Sequence, residues 1–229
     1  MTYDSGFAPN PFWGVLTLAA CTPNHRRARL VKGDWIIGIE SNDLKKRRKK
    51  AGLCPDKENL VVYVAKVDEI LDLDSYFRDS RFADKKYDQN GGWKKRRGDN
   101  VYYKDNGIWK WIRGHEHDGK QCSFFPPSKT SNCELIDKDI KGNKVFICSE
   151  FSYFADACVE FDRRLSSCIV KGRGFKYCHP TDSLYHDFIN YIINLMKRYG
   201  TGEVGTPLLC TIGERKCKEQ EVHKTSCKG

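Results

Sequence analysis

Leu60-Val61-Val62-Tyr63-Val64-Ala65-Lys66-Val67 is a run of β-branched and aromatic residues with one charge in eight positions. Such a run, too short for a typical buried helix and bounded by Asn59 and Asp68, reads as a strand covered on both faces. Two similar stretches precede it. Residues 34–40 (Asp-Trp-Ile-Ile-Gly-Ile-Glu) and 12–20 (Phe-Trp-Gly-Val-Leu-Thr-Leu-Ala-Ala) have the same composition, so the first third reads strand, loop, strand, loop, strand. Downstream, residues 70–77 suggest a short helical turn with acidic residues near its start. Val101–Tyr103 and Ile108–Ile112 are joined through Asp105-Asn106-Gly107, and Asn-Gly supplies the positive φ angles of a tight hairpin. Val145-Phe146-Ile147 begins another strand. Leu184, Phe188, Tyr191, Ile192 and Leu195 keep a 3.6-residue period that Thr181 or Asp182 could cap and Gly200 end. Strands scattered along the chain with helices between them predict a mixed α+β domain over residues 1–200: a strongly bent sheet or small β-barrel flanked by helices. A basic, Cys-containing tail is expected over 201–229.

Charge is distributed unevenly. The chain has 40 Lys and Arg against 30 Asp and Glu, a formal +10, and the excess is concentrated in two blocks. Lys45-Lys46-Arg47-Arg48-Lys49-Lys50 falls between the second and third strands, where an exposed loop is expected. Lys94-Lys95-Arg96-Arg97 follows Trp93 in a polar stretch without period. Side chains this dense repel one another unless solvent or a polyanion neutralises them, and nucleic acid is the obvious polyanion.

Eleven cysteines would suggest disulfides in a small exported protein. No apolar run approaches the roughly 18 residues of a membrane span, and Met1-Thr2-Tyr3-Asp4 does not resemble a secretory leader. A cytoplasmic protein with mostly reduced thiols and no membrane partner is therefore expected. Cys148, Cys158 and Cys168 lie among apolar residues, where a thiol acts as a small core group. The Cys and His spacings fit no common zinc pattern, so neither metal nor cofactor is expected.

Several segments, read in order, resemble a known family. They are Asp4–Phe12, Leu18–Pro23, Gly33–Gly38, Tyr76–Phe82 with Lys85-Lys86, Gly98–Tyr102, Ser149–Phe154 and Lys171–Gly174. Together they look like the bacterial and phage nucleotide-modification-associated domain of the second type. The resemblance implies a setting of modified nucleotides, DNA modification or phage defence rather than one reaction. More remotely, the strand pair and the Tyr76–Phe82 segment resemble pseudouridine-synthase-associated (PUA-like) barrels, a group whose readers flip a base into an aromatic pocket. His115-Glu116-His117 stands where the family leads one to expect adjacent histidines.

A flipped base or free nucleotide needs a flat aromatic wall, hydrogen-bonding groups for its edge, and positive charge for phosphate. Phe7, Phe12, Trp13, Trp35, Tyr153 and Phe154 are candidate stacking surfaces. Asn10 and Asp34 could read a base edge, and Arg26, Arg27, Arg81 and Arg173 could hold phosphate. The expected function is thus a binding module for nucleic acid or nucleotide. One alternative is an enzyme on a nucleotide or base, a hydrolase or glycosidic-bond cleaver using Asp4, Asp34, His115 or His117; another is an interaction protein docking an acidic partner. No phosphate-binding glycine loop or serine-hydrolase elbow is present.

Overall fold

A computed structural model describes residues 4–19, 27–112, 139–170, 172 and 174–212, together with the backbone of 116–117 and 120–121. Arg26, His115 and Arg173 lie outside the described residues, as does the side chain of His117. The order of strands and long helices is β1 (Leu16–Leu18), β2 (Trp35–Ile39), α1 (Asn42–Lys50), β3 (Val61–Lys66), β4 (Glu69–Leu71), α2 (Leu73–Arg78), β5 (Tyr102–Asp105), β6 (Ile108–Trp111), β7 (Glu116–His117), β8 (Lys120–Gln121), β9 (Val145–Cys148), β10 (Phe151–Tyr153), α3 (Tyr185–Tyr199), β11 (Gly202–Glu203) and α4 (Leu208–Thr211).

The mixed α+β class is observed. The described strands form sheets of order β1-β9-β4 and β11-β10-β3-β2 plus two hairpins, β5-β6 and β7-β8, and no closed barrel is present among them. The two larger sheets meet where β3 passes into β4 and β9 into β10. Backbone bonds continue through this corner, from Lys66 N to Glu150 O (2.9 Å) and from Asp68 N to Ile147 O (2.8 Å). Asp68 fixes it further by accepting from both the amide and the hydroxyl of Ser149.

Central β3 is buried on both faces, as its continuous apolarity predicts: Val61, Val62, Val64 and Ala65 are wholly covered. Edge strand β2 is only half-buried. Helix α3 lays Phe188, Ile192, Leu195 and Met196 against Val61, Val64 and Phe154, the periodic stripe having found the sheet. Near the C-terminal end of the described chain, Leu208 and Leu209 of α4 enter the core beside Leu16 and Tyr153.

The first basic block is not a loop. It forms α1, whose start Ser41 caps by accepting from Leu44 N at 3.2 Å. Lys and Arg favour helix, and four cations in its last turn complement the helix dipole. Leu44 and Arg48, one turn apart, share the buried face. Arg48 is completely enclosed and reaches Glu40 through two bonds of 2.9 and 2.8 Å and the carbonyls of Leu53, Cys54 and Lys57. A Cys54–Cys158 disulfide holds the following turn, which corrects the reading of Cys158 as a core thiol. Cys148 and Cys168 are buried and free as expected.

Candidate functional site

Asn10 and Thr17 exchange backbone hydrogen bonds of 3.0 and 2.9 Å, closing a loop whose tip is Trp13-Gly14. Both tip residues have positive φ, 59° and 76°. Glycine adopts that conformation freely, whereas a bulky tryptophan does so against steric cost, which surrounding structure must hold in place.

Beneath the loop is a buried polar cluster. Asn10 is fully enclosed; its Nδ2 donates to Arg97 O at 2.8 Å, and its Oδ1 and backbone oxygen accept from Lys85 Nζ at 2.7 and 3.1 Å. Asp99, also enclosed, accepts from Thr17 Oγ1 at 2.6 Å and from Tyr76 OH at 2.9 Å. Asn100 donates to the carbonyls of Tyr76 and Phe82, while its own side-chain oxygen is buried with no partner. Burial pushes the Lys85 ammonium down to about 8, opposed by the Asp99 charge. Burial likewise raises the Asp99 carboxyl, opposed first by Lys85. Each group favours the charged form of the other while the dry surroundings disfavour both charges.

Above the cluster the surface is aromatic and cationic. Lys85 and Lys95 place their ammoniums 5.7 and 5.2 Å from the centre of the half-buried Trp13 ring. Phe12 meets Trp13 and Trp93 edge to face at 5.6 and 5.2 Å, and Lys94 stands 5.0 Å over Phe12. Lys94 is paired with Glu203 at 2.6 Å and Lys95 with Asp84 at 2.8 Å. A phosphate arriving here would therefore compete with two partly exposed carboxylates. Such a surface offers stacking area with exchangeable cations, two of the three things a nucleotide requires.

The structure distributes the sequence-predicted residues widely. Asn10 lies in the cluster, and Phe12, Lys94, Lys95 and the backbone of Arg97 adjoin it. Arg97 is itself buried, and Arg96 donates to Gly91 O at 3.1 Å. Phe7, Phe12, Tyr153 and Phe154 are core residues, which corrects their reading as stacking surfaces: their rings are covered by the protein itself. Trp35 is half-buried under Lys66, whose ammonium is 5.5 Å away, and the carboxylate of Asp34 accepts from Val31 N at 2.8 Å. Arg81 is bound to Asp79 and Glu69, and Arg27 is exposed. Asp4 is enclosed, accepting from Tyr153 OH and, at 2.9 Å, from Leu208 N; burial holds its carboxyl up at about 6.

On α1, Lys45 and Lys49 both pair with Glu58, and Arg47 pairs with Asp43 at 3.3 Å, so Lys46 and Lys50 are the cations most open to solvent. Trp13 was a candidate stacking surface from sequence, whereas Lys85, Asp99, Thr17 and Tyr76 were not candidates. Lys85, Asp99 and Tyr76 nevertheless belong to two of the segments on which the family resemblance rests, and their convergence with Asn10 from a third was the available signal. A separate groove of about 410 Å³, lined by Ser166, Ile169, Val170, Phe175 and Lys176, borders the segment that carries Arg173.

A family model described as nucleotide modification associated domain 2 matches residues 1–212. No curated protein and no solved structure matches the chain significantly.

Proposed function

The chain belongs to the nucleotide modification associated domain 2 family, and on that premise we propose that it binds a nucleotide, free or within nucleic acid, on the Trp13 platform. The observation that carries this reading is Trp13 itself, held at φ 59° with the ammoniums of Lys85 and Lys95 5.7 and 5.2 Å from its ring centre. A base stacks on the indole or on Trp93, and phosphate draws Lys95 and Lys94 from their carboxylates. A modified or flipped base suits such a platform, in the nucleotide-modification setting that the family's name gives; DNA modification or phage defence is the setting we propose. A cytoplasmic location remains part of this proposal, and no described helix is long and apolar enough to cross a membrane.

The test is calorimetric titration with normal and modified nucleotides and short oligonucleotides, beside mass spectrometry of small molecules that copurify. Binding that weakens with salt and disappears in Trp13→Ala is expected. Saturable binding untouched by that substitution would move the site elsewhere.

Turnover is favoured by a different observation, the enclosed Lys85 and Asp99 with opposing pKa displacements, since such pairs serve as acid and base. Product formed from any member of the same panel, and lost in Asp99→Asn with folding intact, would make the protein an enzyme.

A further inference from the structure

Cys168 closes the 3-10 turn Arg163–Cys168 and is buried in the apolar cluster under α3. Cys178, ten positions later and half-exposed, packs against the same cluster, with its Sγ 4.0 Å from that of Cys168. Between them runs the wall of the groove, including Ile169, Val170 and Phe175, with Val170 and Phe175 open to solvent. Gly172 and Gly174 in this stretch have φ of 114° and 112°, a backbone that relies on glycine and gives the segment little regular structure of its own.

We propose that Cys168 and Cys178 are the reduced form of a reversible disulfide that fastens the groove-lining segment to the body of the protein. A disulfide needs the two sulfurs at about 2.05 Å with the Cα atoms within reach. In this proposal a χ1 rotation of the half-exposed Cys178 closes the gap from 4.0 Å toward Cys168, which is held in the apolar cluster. The reaction is a two-step exchange with a low-molecular-weight disulfide such as oxidised glutathione. The Cys178 thiolate attacks one glutathione sulfur, forming a mixed disulfide and releasing one glutathione thiolate. The Cys168 thiolate then attacks the Cys178 sulfur and releases the second. Two protein thiols lose two protons and two electrons, and one oxidised glutathione becomes two reduced molecules. Burial first, then Cys168 and Asp182, push the Cys178 thiol up to about 11, so the pair exchanges slowly and keeps its state between changes in redox poise.

The folded chain is equilibrated in glutathione buffers from fully reducing to fully oxidising, quenched in acid, alkylated under denaturant and digested for mass spectrometry. The expected result is a peptide pair joined through Cys168 and Cys178, appearing in one two-electron step while buried Cys148 remains alkylatable throughout. Amide exchange over residues 169–177 should slow by about tenfold or more in the oxidised form, as closing a short loop requires. Cys178→Ser should fold normally, form no such pair and show no slowing. Alkylation of both thiols at every poise, pairing of either with another cysteine, or slowed exchange persisting in Cys178→Ser would each overturn the proposal.

Discussion

Lys85 donates to the side-chain oxygen of Asn10 at 2.7 Å across 75 positions of sequence, in an interior where neither residue is more than 1% exposed. An ammonium enclosed this way must be both hydrogen-bonded and charge-compensated. Asn10 provides the first and Asp99 the second, so the loop that presents Trp13 is coupled to the 80–85 turn and to the residues before β5.

Stability should therefore carry the signature of Lys85 in alkaline solution. Its folded pKa of about 8 lies below the ordinary lysine value of 10.5, so between those pH values the unfolded chain binds more protons and stability rises with pH. The gain in wild type relative to Lys85→Met should be on the order of 3 kcal/mol across that window. Chemical denaturation of both proteins at intervals from pH 7.5 to 10.5 gives the difference directly. A flat difference would mean that Lys85 is solvated.

Asp4 predicts the opposite slope in acid. Its folded pKa of about 6 lies above the ordinary aspartate value of 3.8, so the folded chain binds the extra proton and stability falls as pH rises through that interval. The loss should reach on the order of 3 kcal/mol by pH 7. Asp4→Asn cannot ionise and should flatten this limb of the profile, measured as the difference in denaturant midpoint between pH 4 and pH 7.

Arg48 should behave as a structural residue despite its place in a run of six cations. Removing it leaves Glu40 charged, enclosed and short of its two bonds, so Arg48→Ala should cost about 3–5 kcal/mol, read from urea unfolding. Lys46→Ser with Lys50→Ser should leave stability within about 0.5 kcal/mol. If α1 contacts phosphate, that double substitution should flatten the salt dependence of nucleic-acid binding, whereas Arg48→Ala should not change binding per folded molecule.

Sequence alone located the elements whose signals are local. Asn106-Gly107 forced the β5–β6 hairpin, with φ of 49° and 78° at its turn, and the stripe from Leu184 to Leu195 marked α3. α1 escaped because its pattern offers one apolar residue, Leu44, and a cation at the other core position. An arginine that finds five acceptors inside is indistinguishable in sequence from one that finds water. The Lys85–Asp99 cluster was hidden for the same reason. Its members come from four separate stretches, and only the fold determines which lysine of Lys85-Lys86 turns inward toward Asn10 and which stands 4.2 Å over the Phe77 ring.

Gly38 illustrates a constraint visible only in the packed sheet. A Cβ there would lie 2.1 Å from Cε1 of Tyr63, the residue paired with it across β2 and β3. The Tyr63 ring lies over the glycine and is itself buried, so it has no open side to which to retreat. Gly38→Ala should destabilise the protein by about 1–3 kcal/mol, the scale of overpacking, as a shift in urea midpoint at unchanged slope. An unaltered midpoint would show that the edge strand can move aside.

The platform makes the sharpest demand on function. Trp13 has positive φ, so replacing it with Gly relieves backbone cost while removing the indole, whereas Ala removes the indole and keeps most of the cost. If Trp13 serves ligand binding, both substitutions should weaken nucleotide affinity by about 1–3 kcal/mol, the worth of one stacked base, with Trp13→Gly losing less thermal stability than Trp13→Ala. Lys95→Gln should weaken binding less and reduce its salt slope, because it removes a phosphate contact and leaves the stack. Titration of each variant with the tightest ligand of the nucleotide panel, beside its melting curve, separates the two roles. Reduced melting temperature with affinity per folded molecule preserved in both Trp13 variants would make the indole a lid over the Lys85 cluster and remove it from the binding surface.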